Sequence, residues 1–331
     1  MKITFFSVQP YDRSYFEKYN EPFGFQLKFY SSQLNEQTTD LVKESPVVCL
    51  FVNDRANAEA LQGLKDRGVE LIALRCAGFN NVDLEAAARL GIRVVRVPAY
   101  SPEAVAEHAV ALIMTLNRKT HKAYNRVREQ NFSLNGLMGF DLYGKTVGVV
   151  GTGRIGIAFA KIMLGFGCRV LAFDMIANKQ LEALGVEYTN LPDLFATCNI
   201  ISLHCPLTDS TRHLINAETL NMMEPGTMLI NTSRGGLIDT KAAIKALKHG
   251  RLGSLGIDVY EQEEKLFFRD LSGDIIEDDV IQRLMSFPNV LITAHQAFFT
   301  DEALTQIANI TLVNIDAWQK GEVLTNEVRV A

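Results

Sequence analysis

The chain has 331 residues, of which 47% are hydrophobic and 21% charged, and its formal net charge is −5 at pH 7. This length suits about two globular domains, the acidic balance argues against a nucleic-acid partner, and no apolar run approaches the roughly 18 residues of a membrane span. The five cysteines have no C-x-x-C spacing, and the first residues read directly as a strand. We therefore expect a cytoplasmic protein with reduced thiols, no signal peptide and no metal site.

The first hundred residues alternate between predicted strands and helices. The clearest strands are 2–7, 25–30, 47–52, 70–76 and 93–97, and the clearest helices are 56–67 and 84–90. This alternation indicates a parallel sheet covered on both faces. No nucleotide-binding turn occurs here, so we expect a separate α/β domain that contacts the substrate. The turn 75–79 could offer backbone N–H groups to an anion, although an ordinary turn explains it equally well.

A break at 98–102 precedes an apolar helix. Ser101 suits the N-cap and Pro102 the first helical position, and the helix runs to about Asn117. Because it has little polar face, we expect it to be buried on several sides, either as a domain-connecting core helix or as a subunit interface. A basic, polar stretch follows at 118–130.

A glycine-rich turn lies in the middle of the chain, within KTVGVVGTGRIG (145–156). Gly151, Gly153 and Gly156 fit G-x-G-x-x-G between a predicted strand and a predicted helix at 155–166. In such a turn the glycines permit a tight bend, close backbone approach to a pyrophosphate, and close packing of helix on strand. The helix N-terminus offers N–H groups and a positive dipole end to the phosphates.

Asp174 ends the next predicted strand, about twenty residues further on, where a ribose-binding acid belongs. A carboxylate there would repel a 2′-phosphate, so the pattern indicates NAD. The strand and helix alternation then continues to the end of the chain. We predict strands at 199–204, 227–231, 254–259 and 290–293, and helices at 192–197, 217–222, 240–249, 276–285 and 301–319.

Three polar residues fall just past three of these strands: Arg234, Glu263 and His295. Since the carboxyl ends of parallel strands meet at one edge of a sheet, chain direction places them beside the glycine turn. Reduction of a 2-oxo acid needs a cation for the carboxylate and a proton donor for the carbonyl oxygen. Arginine matches a carboxylate at two points, histidine can give the proton, and a nearby glutamate would hold the ring.

Each of the three also has an ordinary structural explanation. Arg234 fits one half of an ion pair, Glu263 lies in an acidic run that suits a solvated loop, and His295 fits a core histidine. Their joint position at one edge, beside a nucleotide turn, favours the catalytic interpretation.

At these residues the sequence resembles the D-isomer-specific 2-hydroxyacid dehydrogenases, and among them the fermentative NAD-dependent D-lactate dehydrogenases. The resemblance covers essentially the whole chain. The segments that carry it are RCAGFNNVD (75–83), VPAYSPEAVAEHA (97–109), GVVGTGRIG (148–156), SLHCPLT (202–208), NTSRGGLID (231–239), GIDVYEQEEKLFF (256–268) and AHQAFFTDEAL (294–304). The segments with the arginine, glutamate and histidine are specific to the family, whereas the glycine turn is generic.

The resemblance implies a role for each matching residue. Arg234 would bind and polarise the 2-oxo acid, and His295, paired with Glu263, would be the acid for reduction and the base for oxidation. The implied NAD contacts are Gly151, Gly153, Arg154, Ile155 and Gly156 at the pyrophosphate, Asp174 at the ribose, Cys205, Pro206 and Thr211 on the adenosine side, and Thr232 and Asp258 at the nicotinamide end. The implied substrate contacts are Ala77, Gly78, Tyr100 and Phe298, beside Arg234.

The family plan implies an α/β fold with two doubly wound parallel-sheet domains. These would be a Rossmann NAD-binding domain at 101–298 and a flavodoxin-like substrate domain made of 1–100 and 299–331. The resemblance also implies a homodimer or homotetramer, with the helix near 103–117 at the interface.

The implied activity is the NADH-dependent, reversible reduction of pyruvate to D-lactate. A bulkier 2-oxo acid stays open as substrate, because one methylene changes selectivity only about 10- to 200-fold. The superfamily also includes transcriptional corepressors, so a non-catalytic NAD(H)-sensing protein is a second possibility. The intact arginine, glutamate and histidine set argues for the enzyme.

Overall fold

The computed structural model describes residues 1–329, with the backbone alone at residue 265. The chain folds into two compact units, of which one is Met1–Ser101 together with the segment from Phe299 onward, and the other is Pro102–Phe298. Residues 330 and 331, which we assigned to the substrate domain, lie outside the described residues. The assignment of the first unit to substrate binding stays a prediction.

The first unit is built on a five-stranded parallel sheet. In chain order its elements are β1 (Lys2–Phe5), α1 (Pro10–Tyr19), β2 (Gln26–Phe29), a 3₁₀ turn (Thr39–Leu41), β3 (Val47–Leu50), α2 (Ala58–Lys65), β4 (Leu71–Leu74), α3 (Leu84–Arg89) and β5 (Arg93–Arg96). The strand order is β2-β1-β3-β4-β5. Every residue of β3 and β4 is buried, as a sheet covered on both faces requires.

The second unit is built on a seven-stranded sheet, also parallel, with the order β12-β11-β10-β9-β6-β7-β8. Its helices are α4 (Pro102–Arg118), α5 (Thr120–Arg128), α6 (Arg154–Gly165), α7 (Lys179–Ala183), α8 (Leu191–Thr197), α9 (Ala217–Met222), α10 (Thr240–Lys248) and α11 (Asp279–Met285). Its strands are β6 (Thr146–Val150), β7 (Arg169–Phe173), β8 (Glu187–Tyr188), β9 (Ile200–Leu203), β10 (Thr227–Asn231), β11 (Leu252–Ile257) and β12 (Val290–Ile292). Two 3₁₀ turns, Gly235–Leu237 and Glu263–Lys265, follow β10 and β11. The two parallel α/β sheets confirm the predicted fold class.

The last helix, α12 (Asp301–Gln319), belongs to the first unit and packs against α1. The Tyr15 hydroxyl donates to an Asp301 carboxylate oxygen at 2.5 Å, and the hydroxyls of Tyr19 and Thr305 lie 3.1 Å apart. The predicted alternation of strands and helices gave no bounds for α1, whose composition is polar. Its start is fixed by Pro10 in the first turn and by a capping box between Gln9 and Asp12.

The apolar helix α4 is buried within its own unit. Its inner face joins the core formed by β6, α6 and the neighbouring strands, and it packs on β10 and β11. A Cβ atom at Gly256 in β11 would lie 3.1 Å from Leu116 and 3.3 Å from Leu112 of α4, so the absence of a side chain there lets helix and sheet pack closely. The burial explains the apolar sequence of α4 as that of a core helix.

Two expected absences can be examined in residues 1–329. No helix there is long and apolar enough to cross a membrane. No group of three or more histidine, cysteine, aspartate or glutamate side chains in that range could hold a metal ion. All five cysteines are free and buried.

We expect Gly156→Ala to destabilise the protein by about 1–3 kcal/mol, as overpacking of a close backbone contact does. A Cβ at Gly156 would lie 2.0 Å from the Gly151 carbonyl oxygen, which is backbone and cannot rotate away. The matched control is Gly165→Ala at the other end of α6, where a Cβ meets no atom within 4 Å. Denaturant midpoints should fall for the first variant and stay level or rise for the second; equal midpoints would contradict this packing.

Candidate active site

The glycine turn joins β6 to α6 with the backbone pressed against the end of β9. Gly151 has a left-handed φ of +96°, and a Cβ there would lie 2.6 Å from the Cys205 amide nitrogen. Gly153 is the N-cap of α6, and a Cβ there would meet no atom within 4 Å. Arg154 and Ile155 then begin the helix. This cradle, open at the helix N-terminus, fits a pyrophosphate.

Asp174 follows β7, and its side chain is hydrogen-bonded to the glycine turn. One carboxylate oxygen accepts hydrogen bonds from the Thr152 amide at 2.6 Å and the Thr152 hydroxyl at 3.0 Å, and the other accepts the Met175 amide at 2.7 Å. The Tyr188 hydroxyl donates to the Thr152 hydroxyl at 2.9 Å. The acid is thus held in place beside the turn, where it can bind a ribose hydroxyl.

The segment after β9 lies against the glycine turn at the same edge of the sheet. Cys205 is buried, and burial raises the pKa of its thiol to about 11, so the thiol stays protonated. Pro206 is exposed, and its carbonyl accepts the Thr211 hydroxyl at 2.7 Å. Desolvation lowers the pKa of His204 to about 3, so this imidazole is neutral and cannot be the proton donor at neutral pH.

Arg234 follows β10 on the same edge. Its guanidinium donates to the Ser233 carbonyl at 2.7 Å, and its own carbonyl accepts the Asn231 side-chain amide at 2.8 Å. Thr232 is buried, and its hydroxyl has no hydrogen-bond partner among the residues that the structure describes. An unpaired buried hydroxyl at this edge fits a polar group of a bound cofactor.

Glu263 and His295 form a hydrogen-bonded pair. The His295 Nδ1 atom lies 2.8 Å from Glu263 Oε1, while Glu263 Oε2 accepts the Tyr260 amide at 2.8 Å. The two side chains are 17% and 22% exposed, so the pair is sheltered but accessible to a small molecule. Because ionised glutamate only accepts hydrogen bonds, Nδ1 carries a proton and the opposite nitrogen, Nε2, is available for proton transfer.

The turn that carries His295 is held by Asp258, the residue just after β11. His295 has a left-handed φ of +52°, and its amide donates to the Asp258 carbonyl at 2.7 Å. The Asp258 carboxylate accepts the amides of Gln296 and Ala297 at 2.9 and 2.8 Å and the Thr293 hydroxyl at 2.5 Å. A left-handed non-glycine residue costs about 1–2 kcal/mol, which these bonds offset.

Asp258 is fully buried and ionised. Burial acts to raise the pKa of its carboxyl, but hydrogen bonds from His108, Thr293 and the Ala297 amide outweigh this and hold the pKa below its usual value. The structure therefore assigns the Asp258 carboxylate to the turn at 293–297. A contact of Asp258 with the nicotinamide end stays a prediction.

The predicted substrate contacts divide between the two units. Ala77, Gly78 and Tyr100 are half-buried in the first unit, where the Ala77 carbonyl accepts the Arg96 guanidinium at 2.8 Å. Phe298 is buried at the end of the second unit. The structure brings Arg234, Glu263 and His295 to the sheet edge of the second unit, beside the glycine turn.

Two contacts at this edge were not expected from the sequence. Thr152, which binds Asp174, lies inside the glycine motif, so its position there was a usable signal. His108, which lies 3.0 Å from the Thr293 hydroxyl, is in the apolar helix α4; it falls within the family-like segment 97–109, but the resemblance gave it no role.

Known proteins resemble this chain over its full length. A family model for the NAD-binding domain of the D-isomer-specific 2-hydroxyacid dehydrogenases matches residues 110–297. The D-lactate dehydrogenase of Escherichia coli is 54% identical over 328 residues, covering 99% of this chain and 100% of that protein. The apo-structure of an Escherichia coli D-lactate dehydrogenase gives a TM-score of 0.91 at 52% identity, covering 99% of this chain and 100% of that one. The Aquifex aeolicus D-lactate dehydrogenase, complexed with NAD and lactic acid, gives 0.88 at 35% identity, covering 99% of both.

We expect Asp174→Ser to raise the KM for NADH at least about tenfold, as loss of a hydrogen bond to a charged group does. Because the charge that repels a 2′-phosphate is also lost, the ratio of kcat/KM for NADPH to that for NADH should rise. Glu182→Gln, which removes an exposed acid from α7, is the matched control and should change neither value. Undiminished rejection of NADPH by the serine variant would remove Asp174 from cofactor selection.

Proposed function

The chain belongs to the D-isomer-specific 2-hydroxyacid dehydrogenase family, and from this premise we propose that it catalyses the reversible NADH-dependent reduction of pyruvate to D-lactate. The observation that carries the proposal is the Glu263–His295 hydrogen bond of 2.8 Å, at the same sheet edge as the glycine turn and Arg234. The similarity to D-lactate dehydrogenases over 99% of the chain supports pyruvate as the substrate. Five buried free thiols support a cytoplasmic location.

Arg234 binds the carboxylate of the 2-oxo acid in this proposal. A guanidinium offers two parallel N–H donors to a carboxylate, which fixes the orientation of the substrate as well as holding it. The bond from Arg234 to the Ser233 carbonyl sets the side chain at the edge of the sheet. The family resemblance implies further substrate contacts from Ala77, Gly78, Tyr100 and Phe298, and these stay predictions.

His295 gives the proton to the carbonyl oxygen during reduction and removes it during oxidation. Glu263 fixes the ring through Nδ1, so the proton moves through Nε2. The carboxylate also stabilises the imidazolium, which is the form that donates. The hydrogen bonds from the 293–297 turn to Asp258 hold the His295 ring in one position for both proton donation and proton removal.

When bound, NADH would supply the hydride for reduction, and NAD⁺ would accept it in the oxidation. The N-terminus of α6 with Gly151, Gly153 and Gly156 would hold its pyrophosphate, and Asp174 its ribose. Cys205, Pro206 and Thr211 would line the adenosine side, and the unpaired Thr232 hydroxyl would meet a polar group at the nicotinamide end.

We expect His295→Gln to lower kcat for pyruvate reduction by at least about a hundredfold, the usual size of a general-acid contribution. NADH binding, measured by fluorescence titration, should change little, because the glycine turn and Asp174 are untouched. Near-normal turnover by the variant would exclude His295 as the acid.

We propose that the protein is a homo-oligomer, a dimer or a tetramer. The loop at 131–143 packs on α5 through backbone carbonyls that accept bonds from Lys119 and Arg126. Large apolar side chains on this loop are highly exposed, including Phe132 at 72%, Leu134 at 81% and Met138 at 87%. So much exposed apolar surface on one segment is typical of a protein contact.

The double variant Phe132→Glu/Leu134→Glu should therefore dissociate the oligomer, because it would bury two carboxylates in an apolar contact. Analytical ultracentrifugation should give a dimer or tetramer for the wild type and a smaller species for the double variant. Val323→Glu, at an apolar residue that is 85% exposed in the first unit, is the control and should keep the wild-type mass. A monomeric wild type would contradict the proposal.

A further inference from the structure

His108 reaches the catalytic turn from a distant part of the sequence. It lies on α4, and its Nε2 atom is 3.0 Å from the Thr293 hydroxyl oxygen, 185 residues further along the chain. The same nitrogen is 3.5 Å from Asp258 Oδ1. The His108 side chain is 16% exposed and the Asp258 side chain 1%. A second imidazole therefore contacts the turn that contains His295.

The direction of these hydrogen bonds follows from the number of protons available. The Thr293 hydroxyl lies 2.5 Å from Asp258 Oδ1, and an ionised carboxylate can only accept, so the single hydroxyl proton points at Asp258. The hydroxyl oxygen must then accept from His108, which requires a proton on Nε2. This requirement holds for the neutral Nε2–H tautomer and for the imidazolium alike.

The chain of bonds ends at the backbone of His295. Asp258 uses its carboxylate for Thr293, Gln296 and Ala297 and its carbonyl for the His295 amide. The residues on either side of the left-handed His295 are thus tied to one carboxylate. His108 orients the Thr293 hydroxyl, the hydroxyl orients the carboxylate, and the carboxylate closes the turn.

We propose that His108 is a positioning residue for the general acid His295, acting by hydrogen-bond donation through Thr293 and Asp258. The inference rests on the proposed function, because it assigns His295 the proton transfer. Its consequence is specific: loss of the Nε2–H donor misplaces the His295 ring and lowers the rate of the chemical step, while NADH binding is preserved.

A purely electrostatic role for His108, as a counter-ion to Asp258, is the competing explanation. Two ionisable side chains act on the Asp258 carboxylate: His108 of α4 and His295 of the 293–297 turn. The shorter contact of His108 is to the neutral Thr293 hydroxyl, which favours donation over charge. The two explanations predict different activities for a variant with a neutral side chain that keeps an N–H donor at the same place. Hydrogen-bond donation predicts that activity is retained, and a counter-ion role predicts that it is lost.

The experiment compares His108→Ala, His108→Gln and Thr293→Val by steady-state kinetics with NADH and pyruvate, or with the 2-oxo acid that the wild type reduces best. His108→Ala and Thr293→Val should each lower kcat by about ten- to a hundredfold, as a small misplacement of a catalytic group does. Their NADH dissociation constants should stay within about twofold of the wild type, because the cofactor cradle is untouched. His108→Gln should recover most of kcat, since its amide N–H can donate to Thr293. His249→Ala, at an exposed histidine on the surface after α10, is the control.

The double variant His108→Ala/Thr293→Val tests whether the residues act in one chain. Two residues of one chain should give a combined loss no larger than the single losses, whereas independent residues multiply their effects. Multiplied losses, an inactive glutamine variant, or a fully active alanine variant would each overturn the proposal. Thermal midpoints are recorded for every variant, and Thr293→Ser, which keeps the hydroxyl, should retain activity if the alanine variant fails to fold.

A readout without turnover separates this inference from the proposed function. In protein labelled with ¹⁵N-histidine, the His295 ring proton on Nδ1, shared with Glu263, gives an NMR resonance that reports the geometry of the pair. His108→Ala should shift or broaden this resonance, and His108→Gln should restore it. An unchanged resonance in the alanine variant would overturn the positioning role even if the wild type reduced no 2-oxo acid.

Discussion

A single buried carboxylate organises the catalytic edge of this protein. Asp258 directly follows β11 and accepts hydrogen bonds from the turn that follows β12, so two neighbouring strands are joined just beyond the sheet. Without these bonds, the left-handed conformation of His295 would have little to stabilise it. The Glu263–His295 pair, and with it the proposed proton transfer, therefore depends on a residue that is itself too buried to meet a substrate.

The glycine turn at the same sheet edge is also fixed by contacts with neighbouring segments. The backbone of Gly151 approaches the end of β9 so closely that no side chain fits, and Asp174 binds the Thr152 amide within the turn. The acid proposed to select NAD is therefore bonded to the turn proposed to receive the pyrophosphate. At both ends of this edge, a carboxylate accepts backbone amides and so fixes a turn: Asp174 at the glycine turn and Asp258 at the turn of His295. Both are attached to one rigid parallel sheet.

Much of this arrangement could be predicted from the sequence, because parallel strands place their carboxyl ends together. Arg234, Glu263 and His295 each follow a strand of the seven-stranded sheet, as their positions in the chain indicated. What the sequence could not show was the contact between elements far apart in the chain. His108 lies in a helix whose apolar pattern reports only burial, and its bond to Thr293 spans 185 residues. The bounds of α1 and α5 were missed because both helices are polar on average, and α5 has no buried residue that an apolar pattern would report. The roles of Ala77, Gly78 and Tyr100 in substrate binding stay predictions.

The most direct test of the account is the oxidation of NADH with a panel of 2-oxo acids, run beside NADPH, with the chirality of the product determined. The account predicts rapid reduction of pyruvate with NADH, slow reaction with NADPH, and D-lactate as the product. Activity confined to bulkier 2-oxo acids would keep the roles of Arg234 and His295 but contradict pyruvate as the substrate. Measurable NADH binding with no turnover of any 2-oxo acid would contradict the central claim and favour a protein that senses NAD(H).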